Sequence, residues 1–372
     1  MQKKRLFLIG LCLALILVPV LTGCSGGNGD ENGNDDKVYD ISLQIQHPRP
    51  QFLVQEVQIP YAETLKERSE GRLDVTVFDI GAVVSQGEEM DGVVSGLLEI
   101  GIGTPNYAPG EFPLSELACL PMLFPSSSVA SLALCRIYEE FPEFQAEYPD
   151  GAEMLSFFTG ATYQLHTVNK PVRTLEDVKG LDLIAINKET ADIISQLGAN
   201  PITIGTGDWY ISLERGMAEG IVCPFAPIRA MQVSEIARYH TVLDMGLSPF
   251  YVAMNKNFYD NLPEELRQII DEESGTKFAE ACGYGLDHGS EIDIEWMLEQ
   301  GGEREFILLT PEEKADWAQQ LRPIWEANIK EREEDGLPAQ KIVDAMERFA
   351  EELVNDGVYV TDYEALIESL QK

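Results

Sequence analysis

The sequence predicts an α/β fold in two lobes, each a mixed sheet covered by helices, and three observations predict it. Strand and helix patterns alternate over residues 41–103. The alternation restarts over residues 180–224. From residue 262 to the end the pattern is helical and strongly charged. Two similar α/β blocks in one chain imply a cleft between lobes, which is a preferred place for a small ligand and closes by hinge motion.

Each element has its own warrant. Ile41-Ser42-Leu43-Gln44-Ile45 alternates apolar and polar side chains and reads as the first strand. Residues 56–68 read as a helix that ends at Gly71. Leu73-Asp74-Val75-Thr76-Val77-Phe78 is a second strand, residues 87–95 a helix stopped by Gly96, and Ile100-Gly101-Ile102-Gly103 a third strand. In the second block, residues 180–186 have the apolar run of a buried strand, and residues 188–196 form a helix closed by Leu197-Gly198. Pro201-Ile202-Thr203-Ile204 is the next strand, residues 208–215 a helix stopped by Gly216, and residues 220–224 a strand ended by Pro224. Leu262-Pro263-Glu264-Glu265 opens a long helix running to about Gln300, with proline in its first turn. Thr310-Pro311-Glu312-Glu313 opens another in the same way.

The start of the chain carries a separate signal. Lys3, Lys4 and Arg5 precede an apolar run over residues 6–21, followed by Thr22-Gly23-Cys24. A basic start, a short apolar core and small residues make a secretory leader. The small residues directly before a cysteine resemble a bacterial lipoprotein signal, cut before Cys24 so that Cys24 carries the lipid. Residues 25–37 hold no large apolar side chain and predict a flexible tether. A hydrophobic content of 44% excludes disorder for the bulk of the chain. The formal net charge of −36 becomes −39 once the three basic residues leave with the leader. Such a surface repels nucleic acid and anionic lipid headgroups. Cys119, Cys135, Cys223 and Cys282 form no CxxC pair and no zinc-ligand spacing with histidine, and read as small buried hydrophobes. A Cys119–Cys135 disulfide stays open at this stage, because spacing does not decide it.

A set of motifs then resembles one family in order and spacing. These are Gly71-Arg72-Leu73-Asp74-Val75, the run over residues 96–99, and Leu120-Pro121-Met122-Leu123-Phe124. They continue with residues 169–181, from Asn169-Lys170-Pro171 to Lys179-Gly180-Leu181, and with Leu197-Gly198-Ala199-Asn200-Pro201. Trp209-Tyr210, Leu213-Glu214-Arg215-Gly216, Glu219-Gly220 and Leu262-Pro263-Glu264-Glu265-Leu266 complete the series. Together they resemble the substrate-binding proteins of TRAP (tripartite ATP-independent periplasmic) transporters. The resemblance implies a two-lobed, periplasmic-binding-protein-like fold with a long helix crossing both lobes. It also implies delivery of a small molecule to membrane permease subunits, from a protein held outside the cytoplasm on the lipid of Cys24. The expected organisation is a leader over 1–23, a tether over 24–37, a first lobe over 38–165 and a second over 166–255. The lobe-crossing helix and C-terminal helices occupy 256–372.

One departure bears on the ligand. Where the family carries an arginine that grips a carboxylate, this chain has Gly180-Leu181-Asp182-Leu183-Ile184, with Ile184 in the arginine's place. A desolvated carboxylate without a cationic partner is costly, so either another cation substitutes or the ligand is not an ordinary acid. Arg229, Arg49 and Lys188 are the candidate substitutes, and His47 and His166 could donate to a neutral ligand. By local alignment the resemblance places Gln46, Glu88, Asn106 with Thr104, Tyr163, Gln164 and Cys223 around the pocket. Trp209, Phe225 and Phe157 are candidate walls, with Phe158 beside them. This set is richer in aromatic, apolar and acidic groups than in cations, which suits a neutral, aromatic or cationic ligand. An organic acid held by a relocated arginine or by a bound cation, or a binding protein of an ATP-driven importer, are the alternatives. The chain has no Gly-x-Ser-x-Gly elbow, HExxH motif or phosphate loop, so the reading is not an enzyme, and nothing in it implies a cofactor.

Overall fold

The computed structural model describes residues 37–370. The leader, Cys24 and all of the tether but Lys37 lie outside the described residues. Eleven strands form two sheets: β1 (Tyr39–Gln44), β2 (Leu73–Phe78), β3 (Ile100–Gly103), β4 (Ala152–Thr159), β5 (Gln164–Thr167), β6 (Asp182–Ala185), β7 (Asn200–Thr203), β8 (Gly220–Cys223), β9 (Tyr239–Val242), β10 (Pro249–Asn255) and β11 (Glu305–Leu308). The first sheet has the order β2-β1-β3-β10-β4, and the second β11-β9-β5-β8-β6-β7. In the first, β1 runs parallel to β2 and β3, while β10 is antiparallel to β3 and β4. In the second, β6 is parallel to β7 and β8, and β5 is antiparallel to β8 and β9. Both sheets are mixed, as the sequence predicts.

Period-2 alternation sorts side chains into separate cores on the two faces of each sheet. Along β10, Phe250, Val252 and Met254 join the cluster of Ile41, Leu43 and Phe158, whereas Tyr251 and Ala253 join that of Phe157, Val129 and Leu134. Along β6, Leu183 and Ala185 face one cluster and Ile184 the other.

The lobe boundaries shift from the sequence expectation. Pro249–Asn255 pairs in the first sheet, so the second lobe ends before 249 and not at 255. Gln164, expected in the first lobe, already pairs with Cys223 in the second. A strand over residues 249–255 that is apolar on both faces fits only inside a sheet buried on both sides, between β3 and β4. The long helix is also divided. It runs as Glu264–Glu273 and Gly275–Glu299, because Ser274 is extended (φ −98°, ψ −152°) and Gly275 is left-handed at φ +57°. A glycine takes that conformation without steric cost. The Gly275 carbonyl accepts a hydrogen bond from Ser156 Oγ at 2.7 Å, and Ser274 Oγ bonds Tyr61 Oη at 2.9 Å, so the break is fixed to the first lobe.

Two helices cross the lobes. Gly275–Glu299 gives Phe278, Ala279, Cys282 and Leu286 to the first-lobe cores and Ile294 and Met297 to the second. Pro311–Glu334 does the reverse, with Trp317 and Leu321 in the second lobe and Trp325 and Ile329 in the first. The sequence pattern identifies this helix but not its crossing. The long helix is further tied by Asp287, whose carboxylate accepts from the Ser127 and Ser128 backbone N–H groups at 2.9 Å each and from Ser128 Oγ at 2.7 Å. It thereby caps the helix Ser127–Glu140 from outside that helix.

Burial pushes the Asp287 carboxyl up to about 7 against those three donors. The folded protein therefore binds this proton more tightly than the unfolded chain, and the group's contribution to stability falls as pH rises from about 4 to about 7. The slope is at most about 1.4 kcal/mol per pH unit. Asp287→Asn is expected to remove that component, read as the difference between urea melts of parent and variant across this range. Identical pH slopes in the two proteins would refute the assignment.

Candidate functional site

The C-terminal ends of β3 and β6 lead to a space between the lobes. A cavity of about 360 Å³ lies there, lined by Asn106 and Cys119 of the first lobe, Lys188, Glu189 and Ile193 of the second, and Asn328 and Arg332 of the crossing helix. From the first lobe, Gln46 is nearly buried just past β1 and donates through Nε2 to Glu89 Oε1 at 2.9 Å, while Gln86 donates to its Oε1 at 3.3 Å. Glu89 is fully buried, and its Oε2 accepts from the Gly87 N–H at 2.8 Å. Burial raises the Glu89 carboxyl above the usual carboxylate range, opposed by its hydrogen bonds, while the charge of Glu88 raises it further. Thr104 caps the turn Pro105–Tyr107 and donates to Asn106 Oδ1 at 3.1 Å, which places Asn106 beside Cys119, with Nδ2 to Sγ at 3.5 Å.

From the second lobe, Asn187 caps the helix Lys188–Gln196 with Oδ1 accepting from the Thr190 N–H at 2.9 Å. Its Nδ2 donates to Tyr163 Oη at 3.1 Å, and that hydroxyl also bonds Ser248 Oγ at 2.6 Å. Glu189, in the first turn of the helix, is held above the usual range by burial and hydrogen-bonded by Asn106 across the lobes. Its Oε2 is buried and has no hydrogen-bond partner among the described residues.

Several sequence candidates lie elsewhere. Gln164 is fully buried and committed to the chain crossing: its Oε1 accepts from the Leu243 and Asp244 N–H groups at 2.7 and 3.0 Å, and its Nε2 donates to Thr162 and Asp244 at 2.9 and 2.8 Å. Phe157 points into the first-lobe core against Tyr138 (4.8 Å between ring centroids) and Tyr148. Glu88 is exposed, and its neighbour Glu89 turns inward instead. Ile184, Trp209, Cys223 and Phe225 pack together in one second-lobe core with Ile221 and Ile228. Trp209 Nε1 donates to the Ile204 carbonyl at 3.1 Å, and burial raises the Cys223 thiol.

Arg229 pairs with Asp293 at 2.9 Å and lies 4.6 Å over the Trp296 ring, in a second cavity of about 440 Å³ beside the long helix. Arg49 pairs with Asp79 at 2.6 Å and Lys188 with Asp192 at 2.7 Å. His166 is buried, with Nδ1 2.8 Å from His240 Nδ1 and Nε2 3.0 Å from the Cys223 carbonyl. Burial lowers the His47 and His166 imidazoles to about 4, so both are neutral near pH 7. The four cysteines are free and buried.

Glu189 lines the cavity and was missed by sequence reasoning, as was Asn187 beside it, which caps its helix. Asn187 and Glu189 were signalled by a capping pattern at the end of a predicted strand. Among the described residues, no group of three or more His, Cys, Asp or Glu is placed to hold a metal ion.

Residues 47–332 match the model of the bacterial extracellular solute-binding proteins, family 7. The chain belongs to that family. Its relatives include a solute-binding protein of Chromohalobacter salexigens, 23% identical over 282 residues that cover 74% of this chain and 80% of the relative. The C4-dicarboxylate-binding protein DctB of Bacillus subtilis is 21% identical over 338 residues, 84% of this chain and 92% of DctB. The fold resembles the crystal structure of a TRAP periplasmic solute-binding protein from Desulfovibrio salexigens with a TM-score of 0.78 at 24% identity, covering 87% of this chain and 98% of that one. The two mixed sheets, the crossing helices and the helical C-terminus are thus those of a two-lobed TRAP solute-binding protein.

Inside the first lobe, the Tyr251 ring lies so close over Gly103 that a Cβ there would collide with its Oη. Gly103→Ala is expected to displace Tyr251 and to cost about 1–3 kcal/mol, checked by thermal unfolding. A melting temperature equal to the parent's would show that the ring moves aside freely.

Proposed function

We propose that this family 7 protein is a lipid-anchored, extracytoplasmic receptor that captures a small molecule between its lobes and hands it to TRAP permease subunits. It acts by binding and closure, without turnover. Cys24 carries the lipid, and the acidic surface faces away from nucleic acid. The pocket takes its walls from Gln46, Asn106 and Tyr163, with the apolar group of Ile184, Trp209, Cys223 and Phe225 behind them.

The observation that carries the ligand reading is the fate of the cations. Ile184, at the position where the family resemblance implies an arginine, is fully buried among apolar side chains. Arg229, the foremost replacement, is already paired with Asp293 and stacked on Trp296. Each cation that the sequence offers as a substitute, Arg229, Arg49 and Lys188, is already paired with a carboxylate of the chain, which supports a ligand that is not an ordinary organic acid. In this the chain differs from the Bacillus subtilis relative, which is named for C4-dicarboxylates.

A thermal-shift screen of the purified protein against a small-metabolite library tests the reading. Ligand at about 100 times its Kd adds about 2.7 kcal/mol to stability and must raise the melting temperature. Arg229→Ala is expected to leave the affinity of any hit within about twofold, because each 1.4 kcal/mol is a factor of ten and no direct contact is removed. A tenfold loss of binding to an organic acid in that variant would establish the relocated-arginine alternative. Cys24→Ser is expected to move the protein from the membrane fraction to the soluble one; retention on the membrane would refute lipid anchoring at that residue.

A further inference from the structure

The crossing helix Pro311–Glu334 carries a proline in its interior, Pro323. Proline has no backbone N–H, so the Gln319 carbonyl has no partner four residues on, and the ring crowds that carbonyl. It is the most costly residue a helix interior can hold. Packing does not call for it here: Pro323 is exposed and belongs to none of the apolar cores. The next carbonyl, that of Gln320, takes a side-chain donor from outside the helix, Gln196 Nε2 at 3.0 Å. The backbone ladder is therefore weakest over this one turn.

That turn is where the helix passes from one lobe to the other. On the N-terminal side of the proline, Trp317 and Leu321 lie in the second-lobe core, and Gln320 Nε2 returns the bond from Gln196 by donating to its carbonyl at 2.8 Å. On the C-terminal side, Trp325 and Ile329 lie in the first-lobe core. Trp325 Nε1 donates to the Pro121 carbonyl at 3.0 Å, and Arg332 pairs with Glu116 at 2.7 Å. Each half of the helix is thus fastened to a different lobe almost up to Pro323. A change in the angle between the lobes falls on the residues between Leu321 and Trp325.

There is room on both flanks for such a change. The interlobe cavity of about 360 Å³ has Ile324 and Asn328 in its wall, and another of about 420 Å³ is lined by Ala318, Gln319, Arg322 and Trp325. The long helix does not block the motion either. Between Leu286 of the first lobe and Ile294 of the second it has Gly289-Ser290, and sharp helix bends fall at prolines and at Gly/Ser pairs.

We propose that Pro323 is the pivot of the crossing helix, a weak point at which its two halves tilt as the lobes open and close. The half beyond the proline carries Ile324, Asn328 and Arg332 into the wall that Lys188 and Ile193 of the second lobe complete, so a tilt at Pro323 changes the width of the space a solute enters. The inference rests on the solute-capture reading for the use of this motion, and not for its existence.

Pulsed electron spin resonance on the full purified chain measures the motion without any ligand. Spin labels are placed at Glu67→Cys in the first lobe and Glu214→Cys in the second, both exposed, together with Cys24→Ser; the four cysteines of the lobes are free but buried. The chain with Pro323 is expected to show more than one interlobe distance. Pro323→Ala restores the N–H and is expected to lower the population of the minor arrangements about fivefold, the effect of one backbone hydrogen bond. Its melting temperature should equal or exceed the parent's. Should Pro323→Ala melt early, Pro323→Gln carries the test with the same expected fall. Distances spread as widely in these variants as in the parent overturn the pivot, and so does a parent with a single narrow distance. Neither outcome depends on whether the thermal-shift screen finds a ligand, so failure here is distinct from failure of solute capture.

Discussion

Both lobes hang from a pair of adjacent chain crossings, and those crossings depend on two polar side chains, the partly buried Asp244 and the fully buried Gln164. The segments joining β4 to β5 and β9 to β10 run side by side. The Gly160 N–H donates to the Ser248 carbonyl at 2.7 Å, Tyr163 N–H to Gly246 at 2.8 Å and Met245 N–H to Tyr163 at 2.9 Å. Asp244 sits at φ +50°, a left-handed conformation that aspartate tolerates better than most residues but still at a cost. It is held there because its carboxylate accepts from Thr162, Gln164 and Lys314. The Lys314 contact brings in the helix Pro311–Glu334, which itself packs in both lobes. The crossing segments, the kink and the crossing helix are thus one connected network, and the relative placement of the lobes follows from it.

That placement explains why the strand ends, and not the strand faces, supply polar groups to the cleft. Within β6 the side chains alternate between two cores, so Ile184 has no path to the interlobe space without leaving the cluster of Trp209, Cys223, Phe225 and Ile228. A cation at that position would have to displace this cluster or lie desolvated within it. Ile184 is therefore part of a contiguous apolar arrangement. The next helix begins at the Asn187 cap and carries Lys188, Glu189 and Ile193 to the cavity wall.

Most of the strands were legible because their alternation or apolar runs are local properties, and the helix starts were legible through Asn187, Thr310 and the prolines that follow Leu262 and Thr310. What escaped was set by contacts distant in sequence. The partner of Arg229 is Asp293, 64 residues on, and nothing near either residue announces the pair. The choice between Glu88 and Glu89, like that between Phe157 and Phe158, rests on a register of a single residue, which decides which of two neighbours faces inward. The membership of residues 249–255 in the first sheet is likewise a topological fact: both flanking strands, β3 and β4, precede it by about a hundred residues or more. Even the break at Ser274 depends on Tyr61 and Ser156, whose hydrogen bonds hold two residues out of an otherwise continuous helical pattern.

The net charge of −36 and the composition of the cavity wall act in the same direction. A strongly acidic surface creates a potential that raises the local concentration of cations and lowers that of anions, and a cleft with low-dielectric walls focuses it. An organic acid approaching this protein would be repelled at long range and then meet carboxylates at contact. A relocated arginine inside the cleft would have to outweigh both effects. A cationic solute is favoured by the same potential, which acts mainly within about a Debye length of the surface. The acidity that works against nucleic acid thus also works against anionic small molecules as they approach.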